Sequence, residues 1–236
     1  MRFVVNELRA RFPRREMYAA GWSLGANILV NYLAEEGDAC TLTASASIGN
    51  PFDLVLCSRN LEKPGVYRLY DSKLAASLRT IFNRHAALFR GMTRENSGLD
   101  VDLAMRARTV REFDEAITAP SFGHRDADAY YRSAGSAQVM HKVRTRLLCV
   151  QASDDPISLL EAIPREAIEK NDNCALIVTP GGGHIGWLCA GTGGALLGME
   201  TRLVDRLVLD FWKPPRRRGG GHNSAVQEPA AASLNG

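Results

Sequence analysis

The chain contains a serine, an aspartate and a histidine that each follow a short apolar segment, and these three side-chain types together support nucleophilic catalysis. Ser23 is the central residue of a G-x-S-x-G sequence, and Asp155 and His184 each come shortly after a continuous apolar run. A serine hydroxyl needs a base to remove its proton, and that base needs a carboxylate to orient it. The residue types therefore predict Ser23 as a nucleophile, His184 as its base and Asp155 as the orienting acid.

The G-x-S-x-G segment, residues 21–25, has two interpretations. It could be a glycine-rich turn whose serine only caps the next helix, and such a sequence also arises by chance. Its position directly between a predicted strand, residues 17–20, and a predicted helix, residues 26–36, favours the second interpretation. In that interpretation the serine occupies a strained strand-to-helix turn, and the small residues two positions away leave room for the sharp bend.

Several other residues are candidates for the same chemistry or for metal binding. Asp154 is the alternative to Asp155, which is preferred because Pro156 restricts the turn directly after it. The remaining four histidines have no partner at metal-ligand spacing and are predicted to be solvated or locally hydrogen-bonded: His85, His124, His141 and His222. The five cysteines form no C-x-x-C pair, so the sequence predicts neither a zinc site nor a disulfide framework. No metal and no cofactor are predicted.

The elements that must position the three residues are those of a parallel sheet flanked by helices. Further apolar runs predict strands at residues 40–48, 147–152 and 175–179, and a closing helix at residues 203–212. Strand, helix and strand in alternation predict an α/β fold with a partial parallel sheet. The carboxyl ends of parallel strands gather at one edge, where ligand sites form. The chain order Ser, Asp, His is the order expected of an α/β-hydrolase fold.

The distribution of apolar and polar residues along the chain predicts that it is divided into three parts. Residues 1–50 and 141–212 are predicted to form the core of the fold. Residues 51–140 show no clear strand and carry helical patches at 73–89 and 101–117, which predicts a helical cap or lid inserted into the core. Residues 213–236 are rich in Arg, Gly and Pro and almost free of apolar periodicity, which predicts a disordered tail.

The composition excludes several classes of protein. The chain has 236 residues, of which 45% are hydrophobic and 23% charged, as in an ordinary globular protein. It contains no apolar run of about 20 residues, the length that a membrane-spanning helix needs. The net charge of +3 comes from 29 basic and 26 acidic residues, a balance too even to indicate a nucleic-acid partner. A location in the cytoplasm or at a membrane is favoured over secretion.

Four separated segments, in order, resemble the AB hydrolase 4 branch of the α/β-hydrolase superfamily, which includes the plant embryogenesis-associated esterase-like proteins. These segments are residues 21–29, Ser121-Phe-Gly together with Tyr130-Tyr131, residues 143–157 and residues 177–187. The resemblance covers about residues 5–212. It implies carboxylesterase or acylglycerol lipase activity on short- and medium-chain esters, with a small-molecule ester or lipid as the partner. The resemblance is also compatible with a peripheral contact between the protein and a membrane.

The same resemblance assigns roles to residues, and this sequence departs from the family pattern in one respect. It implies Ser23 as nucleophile, Asp155 as orienting acid and His184 as base. Members of the family carry a long segment before this motif, and a loop in it donates one of the two backbone N–H groups of the oxyanion hole. Here only Leu24 N–H, directly after the serine, is predicted as a donor. We therefore expect a truncated product, and the competing hypothesis is a catalytically impaired fragment that acts as a non-enzymatic interaction module.

Overall fold

The computed structural model describes residues 1–89, 91–187 and 203–213. Within these ranges the strands are β1 (Tyr18–Trp22), β2 (Ala44–Ile48), β3 (Arg146–Ala152) and β4 (Cys174–Thr179). The helices in the same ranges are α1 (Arg2–Arg11), α2 (Leu24–Glu36), α3 (Leu54–Leu61), α4 (Val66–Arg84), α5 (Arg94–Ser97), α6 (Val101–Arg106), α7 (Val110–Phe113), α8 (Ala119–Ser121), α9 (Ala127–Ala134), α10 (Arg165–Glu169) and α11 (Leu203–Trp212).

The strands form one parallel sheet in the order β1-β2-β3-β4. Trp22 at the end of β1 lies opposite Ile48 at the end of β2, and Ile48 lies opposite Val150 in β3. The carboxyl ends of the strands therefore meet at one edge, as the alternation of predicted strands and helices indicates. The predicted α/β fold with a partial parallel sheet is confirmed.

Alternate side chains of β3 explain why helices cover both faces of the sheet. Leu147 and Cys149 pack in one cluster with Leu29 and Leu33 of α2. The intervening residue Leu148 packs in another cluster with side chains of α11. Successive side chains of a strand point to opposite faces, so a continuous apolar strand needs a cover on both sides. The sheet is thereby held between α2 and α11.

The structure shifts several predicted boundaries. β1 extends two residues beyond the predicted strand, through Trp22, because Gly21 and Trp22 still pair with β2. β2 begins only at Ala44, so the first four residues of the predicted strand, 40–43, lie outside it. The helical patch predicted at 101–117 is broken after Arg106, where α6 ends. A new helix, α7, begins at Val110, and the side chain of Thr109 accepts the N–H of Glu112 at its start.

Helices α3 to α9, here called the inserted helices, all lie between β2 and β3 along the chain. They contain an apolar cluster of their own around Phe82, Phe113 and Ile117. The division into core, lid and tail stays a prediction, and the predicted tail lies outside the described residues apart from Lys213. Among the helices that the structure describes, none has the length and hydropathy required to cross a bilayer.

Candidate active site

Ser23 occupies the sharp turn that joins β1 to α2. Its backbone has φ 52° and ψ −126°, in the region that a residue with a side chain rarely adopts. Two hydrogen bonds fix this turn: Ser23 N–H donates to Ile48 O over 2.9 Å, and Ala26 N–H donates to Ser23 O over 2.9 Å. A side chain held in a strained conformation by its surroundings is a common feature of active sites. The serine hydroxyl is thus placed at the N-terminal end of α2.

The two glycines beside Ser23 meet different surroundings. A Cβ atom on Gly21 would lie 2.5 Å from the backbone oxygen of Gly25, whereas a Cβ on Gly25 meets nothing within 4 Å. The turn therefore brings the backbone of β1 against the first turn of α2, and only Gly21 allows this approach.

This difference predicts unequal effects of two alanine substitutions. We expect Gly21→Ala to lower the free energy of unfolding by about 2–3 kcal/mol, the cost of forcing a carbon into a packed site. That loss corresponds to a melting temperature lower by roughly 4–12 °C. The matched control, Gly25→Ala, should keep or slightly raise the melting temperature because alanine is favoured over glycine in a helix. Equal melting temperatures for the two variants, measured by circular dichroism, would contradict this account.

The loop after β4 carries His184 toward Ser23. Gly182 has φ 153° and Gly183 has φ 59°, so both occupy backbone conformations that side chains disfavour. The buried Trp187 anchors the far end of the loop: its Nε1–H donates to Thr179 Oγ1 over 2.9 Å, and its N–H donates to Gly182 O over 3.0 Å. The loop is thereby folded back on the end of β4.

The structure brings Ser23, Asp155 and His184 together. His184 Nε2 lies 2.7 Å from Ser23 Oγ, and His184 Nδ1 lies 2.9 Å and 3.1 Å from the two carboxylate oxygens of Asp155. A carboxylate only accepts hydrogen bonds, so Nδ1 carries the imidazole proton and Nε2 is left as an acceptor for the serine hydroxyl. The side chain of Asp155 is 1% exposed and that of His184 is 15% exposed. The contact of histidine with aspartate is therefore shielded from solvent, which strengthens it.

The two neighbouring aspartates have separate contacts. Asp155 Oδ1 accepts the N–H groups of Ile157 and Ser158, both over 2.8 Å, so its carboxylate is fixed by the turn that follows β3. Asp154 does not contact the imidazole: its Oδ1 accepts Gly183 N–H over 2.8 Å. Asp155 thus faces His184, and Asp154 fastens the loop that carries His184.

Leu24 is the first residue of α2, directly after Ser23. The first N–H groups of a helix have no acceptor within the helix, and they form its positive end. Leu24 N–H is therefore a hydrogen-bond donor beside the serine hydroxyl, suited to a negative oxygen.

A cavity of about 310 Å³ opens beside Ser23 beneath the inserted helices. Its lining is mainly apolar, with Leu24, Pro51, Leu54, Cys57, Leu61, Leu74, Leu78, Ile81, Val110 and Ile157 contributing most of it. A larger cleft, of about 680 Å³, lies around residues 86–102 and contains none of Ser23, Asp155 and His184. The cavity beside the serine is the one suited to an apolar group of a substrate.

Sequence reasoning did not find the polar groups in this cavity. Tyr131 Oη–H donates to Asp114 over 2.6 Å, and burial raises the pKa values of both side chains. Asp114 lies in a π-helical turn, a type of distortion often found at functional sites. Burial also raises the pKa of the Cys57 thiol to about 12, so this thiol is protonated at neutral pH and is not a competing nucleophile.

The other residues singled out from the sequence lie elsewhere. His85 and His141 are exposed, while His124 packs against Tyr130; His222 lies outside the described residues. Of the two tryptophans near the site, Trp187 is buried and Trp22 is 41% exposed. In the part of the chain that the structure covers, no group of His, Cys, Asp or Glu is arranged to hold a metal ion.

Comparisons with known proteins relate the chain to lipases and esterases. It is 44% identical over 186 residues to an embryogenesis-associated protein of Picea glauca, with 78% of this chain and 40% of that protein covered. It is 36% identical over 188 residues to a monoacylglycerol lipase of Saccharomyces cerevisiae, with 79% of this chain and 41% of that protein covered. The chain thus spans about two fifths of the length of these relatives.

No protein-family model matches the chain. Among solved structures, an esterase of Pyrococcus furiosus aligns with a TM-score of 0.41 and 15% identity, covering 76% of this chain and 51% of that one. The sequence similarity over most of the chain agrees with the parallel sheet and the strand–serine–helix turn. A further relative, an abhydrolase domain-containing protein of Dictyostelium discoideum, is 33% identical over 176 residues, with 74% of this chain and 43% of that protein covered. The chain belongs to the α/β-hydrolase superfamily.

Proposed function

We propose that the chain is a serine hydrolase that cleaves carboxylic esters, with Ser23, His184 and Asp155 as a catalytic triad. The observation that carries the proposal is the continuous hydrogen-bond path from Ser23 Oγ through both ring nitrogens of His184 to Asp155, with contacts of 2.7 Å and 2.9 Å. These distances lie within the reach that proton transfer requires. The relatives named above, one of them a monoacylglycerol lipase, support the same class of reaction.

The first half of the reaction forms an acyl-enzyme. Ser23 Oγ attacks the ester carbonyl carbon as its proton passes to His184 Nε2, and Asp155 stabilises the resulting imidazolium through Nδ1–H. Leu24 N–H donates to the oxygen that becomes negative in the tetrahedral intermediate. His184 then returns the proton to the leaving alcohol, and the C–O bond of the ester breaks.

The second half uses water in place of serine. His184 Nε2 removes a proton from a water molecule, whose oxygen attacks the acyl carbon. The bond to Ser23 Oγ then breaks, and His184 gives the proton back to that oxygen. The products are a carboxylic acid and the regenerated serine.

We propose an acyl group of short to medium length as the part of the substrate that enters the cavity. The cavity has a volume of about 310 Å³. At roughly 30 Å³ for each water-sized group of atoms, it accommodates about ten non-hydrogen atoms. The apolar lining favours a hydrocarbon chain over a charged group.

This assignment predicts how one cavity residue controls chain length. Leu74 lines the cavity from α4, so Leu74→Trp should fill part of it. We expect the ratio of kcat/KM for a decanoyl ester to that for a butanoyl ester to fall by about tenfold or more, since each methylene in an apolar site is worth roughly 1–3 kcal/mol. The matched control is Leu69→Trp, on the same helix but 63% exposed and outside the cavity lining. If both variants kept the wild-type ratio, the acyl group would have to bind elsewhere.

A fluorophosphonate probe tests the proposed function directly. We expect the probe to modify the 236-residue chain once, and mass spectrometry of the digested protein to place the phosphonate on Ser23. Modification of another residue contradicts the triad. A chain that unfolds cooperatively but neither reacts with the probe nor hydrolyses esters supports the competing hypothesis of a non-enzymatic interaction module.

A further inference from the structure

Ser158 is a buried serine beside the candidate site. It contacts the turn that carries Asp155, the loop that carries His184 and the end of β2 at Gly49. It is 0% exposed and lies in the turn after β3, three residues beyond Asp155. Its backbone N–H donates to Asp155 Oδ1 over 2.8 Å. Its hydroxyl donates to Gly49 O over 2.7 Å and lies 3.4 Å from His184 Nδ1.

Gly49, whose carbonyl oxygen accepts this hydrogen bond, directly follows β2 and packs against the backbone of His184. Its φ of 56° places it in the left-handed region, and a Cβ atom there would lie 2.5 Å from His184 O. Gly49 N–H donates to Val150 O over 2.9 Å, which connects this residue to β3. The hydroxyl of Ser158 therefore links the end of β2 to the turn that carries Asp155, directly beside the backbone of His184.

Because the hydroxyl of Ser158 donates to Gly49 O, its oxygen can act only as a hydrogen-bond acceptor toward the imidazole of His184. A hydroxyl has one proton, and here Gly49 O, which only accepts, takes it. Ser158 Oγ therefore presents only lone pairs toward His184 Nδ1. A lone pair favours the tautomer with the proton on Nδ1, which leaves Nε2 unprotonated beside Ser23 Oγ.

We propose that Ser158 is a positioning residue of the hydrolase: through its amide it orients Asp155, and through its hydroxyl it maintains the Nδ1–H tautomer of His184. This inference rests on the proposed function. Ser158 does not reach the reacting atoms, and its effect passes through the imidazole. Its loss should lower the rate of proton transfer and leave substrate binding unchanged.

The test compares two substitutions of Ser158 with one of Ser153. Ser158→Ala should lower kcat for ester hydrolysis by about five- to tenfold, the range for one lost hydrogen bond, with KM changed by less than about twofold. Ser158→Cys restores the volume of the missing atom but is a weak donor and acceptor, so its kcat should stay near that of the alanine variant. The matched control is Ser153→Ala. Ser153 lies in the same turn, and its exposed hydroxyl donates to Pro180 O over 2.8 Å without contacting the imidazole. This variant should keep the wild-type kcat.

A second measurement separates this inference from the proposed function. In the unreacted chain, the ¹H resonance of His184 Nδ1–H should shift in Ser158→Ala and stay in place in Ser153→Ala. A kcat fully restored by cysteine, or an unchanged kcat in the alanine variant together with an unshifted resonance, would overturn the positioning role. If the resonance shifts in Ser158→Ala while the wild-type chain does not react with the probe, the esterase assignment is refuted and the orienting contact is retained.

Discussion

Replacing Ser23 by alanine is expected to lower kcat for ester hydrolysis by about 10⁴- to 10⁶-fold, the loss typical when the nucleophile of a triad is removed. The reason is specific to the position. Ser23 Oγ is the atom that His184 Nε2 contacts over 2.7 Å, and in the part of the chain that the structure describes it is the hydroxyl placed to give its proton to that base. Reaction with a fluorophosphonate probe should disappear together with turnover.

The fold of this variant should persist because alanine keeps the backbone of the turn and removes one hydroxyl. Circular dichroism should therefore give a melting curve close to that of the wild type. Ser133→Ala, which removes an exposed hydroxyl outside the cavity, is the matched control and should react with the probe at the wild-type rate. An unimpaired reaction of the Ser23→Ala variant would mean that another group attacks the ester.

Replacing Asp155 by asparagine is expected to lower kcat by about 10³- to 10⁴-fold, as in triads where the same change selects the wrong tautomer. The contacts of the carboxylate explain why. Oδ1 accepts the N–H groups of Ile157 and Ser158, so the carbonyl oxygen of the asparagine would take that place. Its NH₂ group would then face His184 Nδ1, which would become the acceptor. Nε2 would carry the proton and could no longer take one from Ser23.

Asp154→Asn is the matched control for this substitution. Asp154 accepts Gly183 N–H and has no contact with the imidazole, and an asparagine oxygen can still accept from that N–H. We expect kcat to fall by less than about tenfold. Steady-state kinetics on one ester measures both variants, and a larger loss at Asp154 than at Asp155 would reverse the roles given to the two residues.

The sequence predicted the parts of this site that depend on local pattern. Continuous apolar runs indicated β3 and β4 to within a residue, because a strand covered on both faces must be apolar along its whole length. Glycines around Ser23 and before His184 marked two sharp turns. At the first, Gly21 allows the backbones of β1 and α2 to approach closely, and at the second, Gly182 and Gly183 adopt positive φ values that side chains disfavour. Because strands joined by helices run parallel, the three residues that follow strands were predicted at one edge of the sheet.

The sequence predicted less about the inserted helices. The patch at residues 101–117 has helical periodicity, yet α6 ends at Arg106, Thr109 caps a new helix, and Asp114 starts a π-helical turn. Cap formation depends on a few local hydrogen bonds, and periodicity does not report them. The residues that line the cavity could not be predicted from the sequence either, because they come from six separate segments of the chain.

Residue type and order by themselves predicted the three side chains that we propose for the chemistry, and they determined the kind of sheet that brings these side chains together. Only the tertiary structure showed that Asp155 and not Asp154 contacts His184, that Ser158 contacts both Gly49 and His184, and that Gly21 but not Gly25 must lack a side chain. The physical reason is that these outcomes depend on contacts between segments far apart in the chain, such as Ser158 with Gly49 and His184 with Ser23. Hydrogen bonds act over about 3 Å, and the relative position of two loops at that scale is fixed by the packing of the whole sheet.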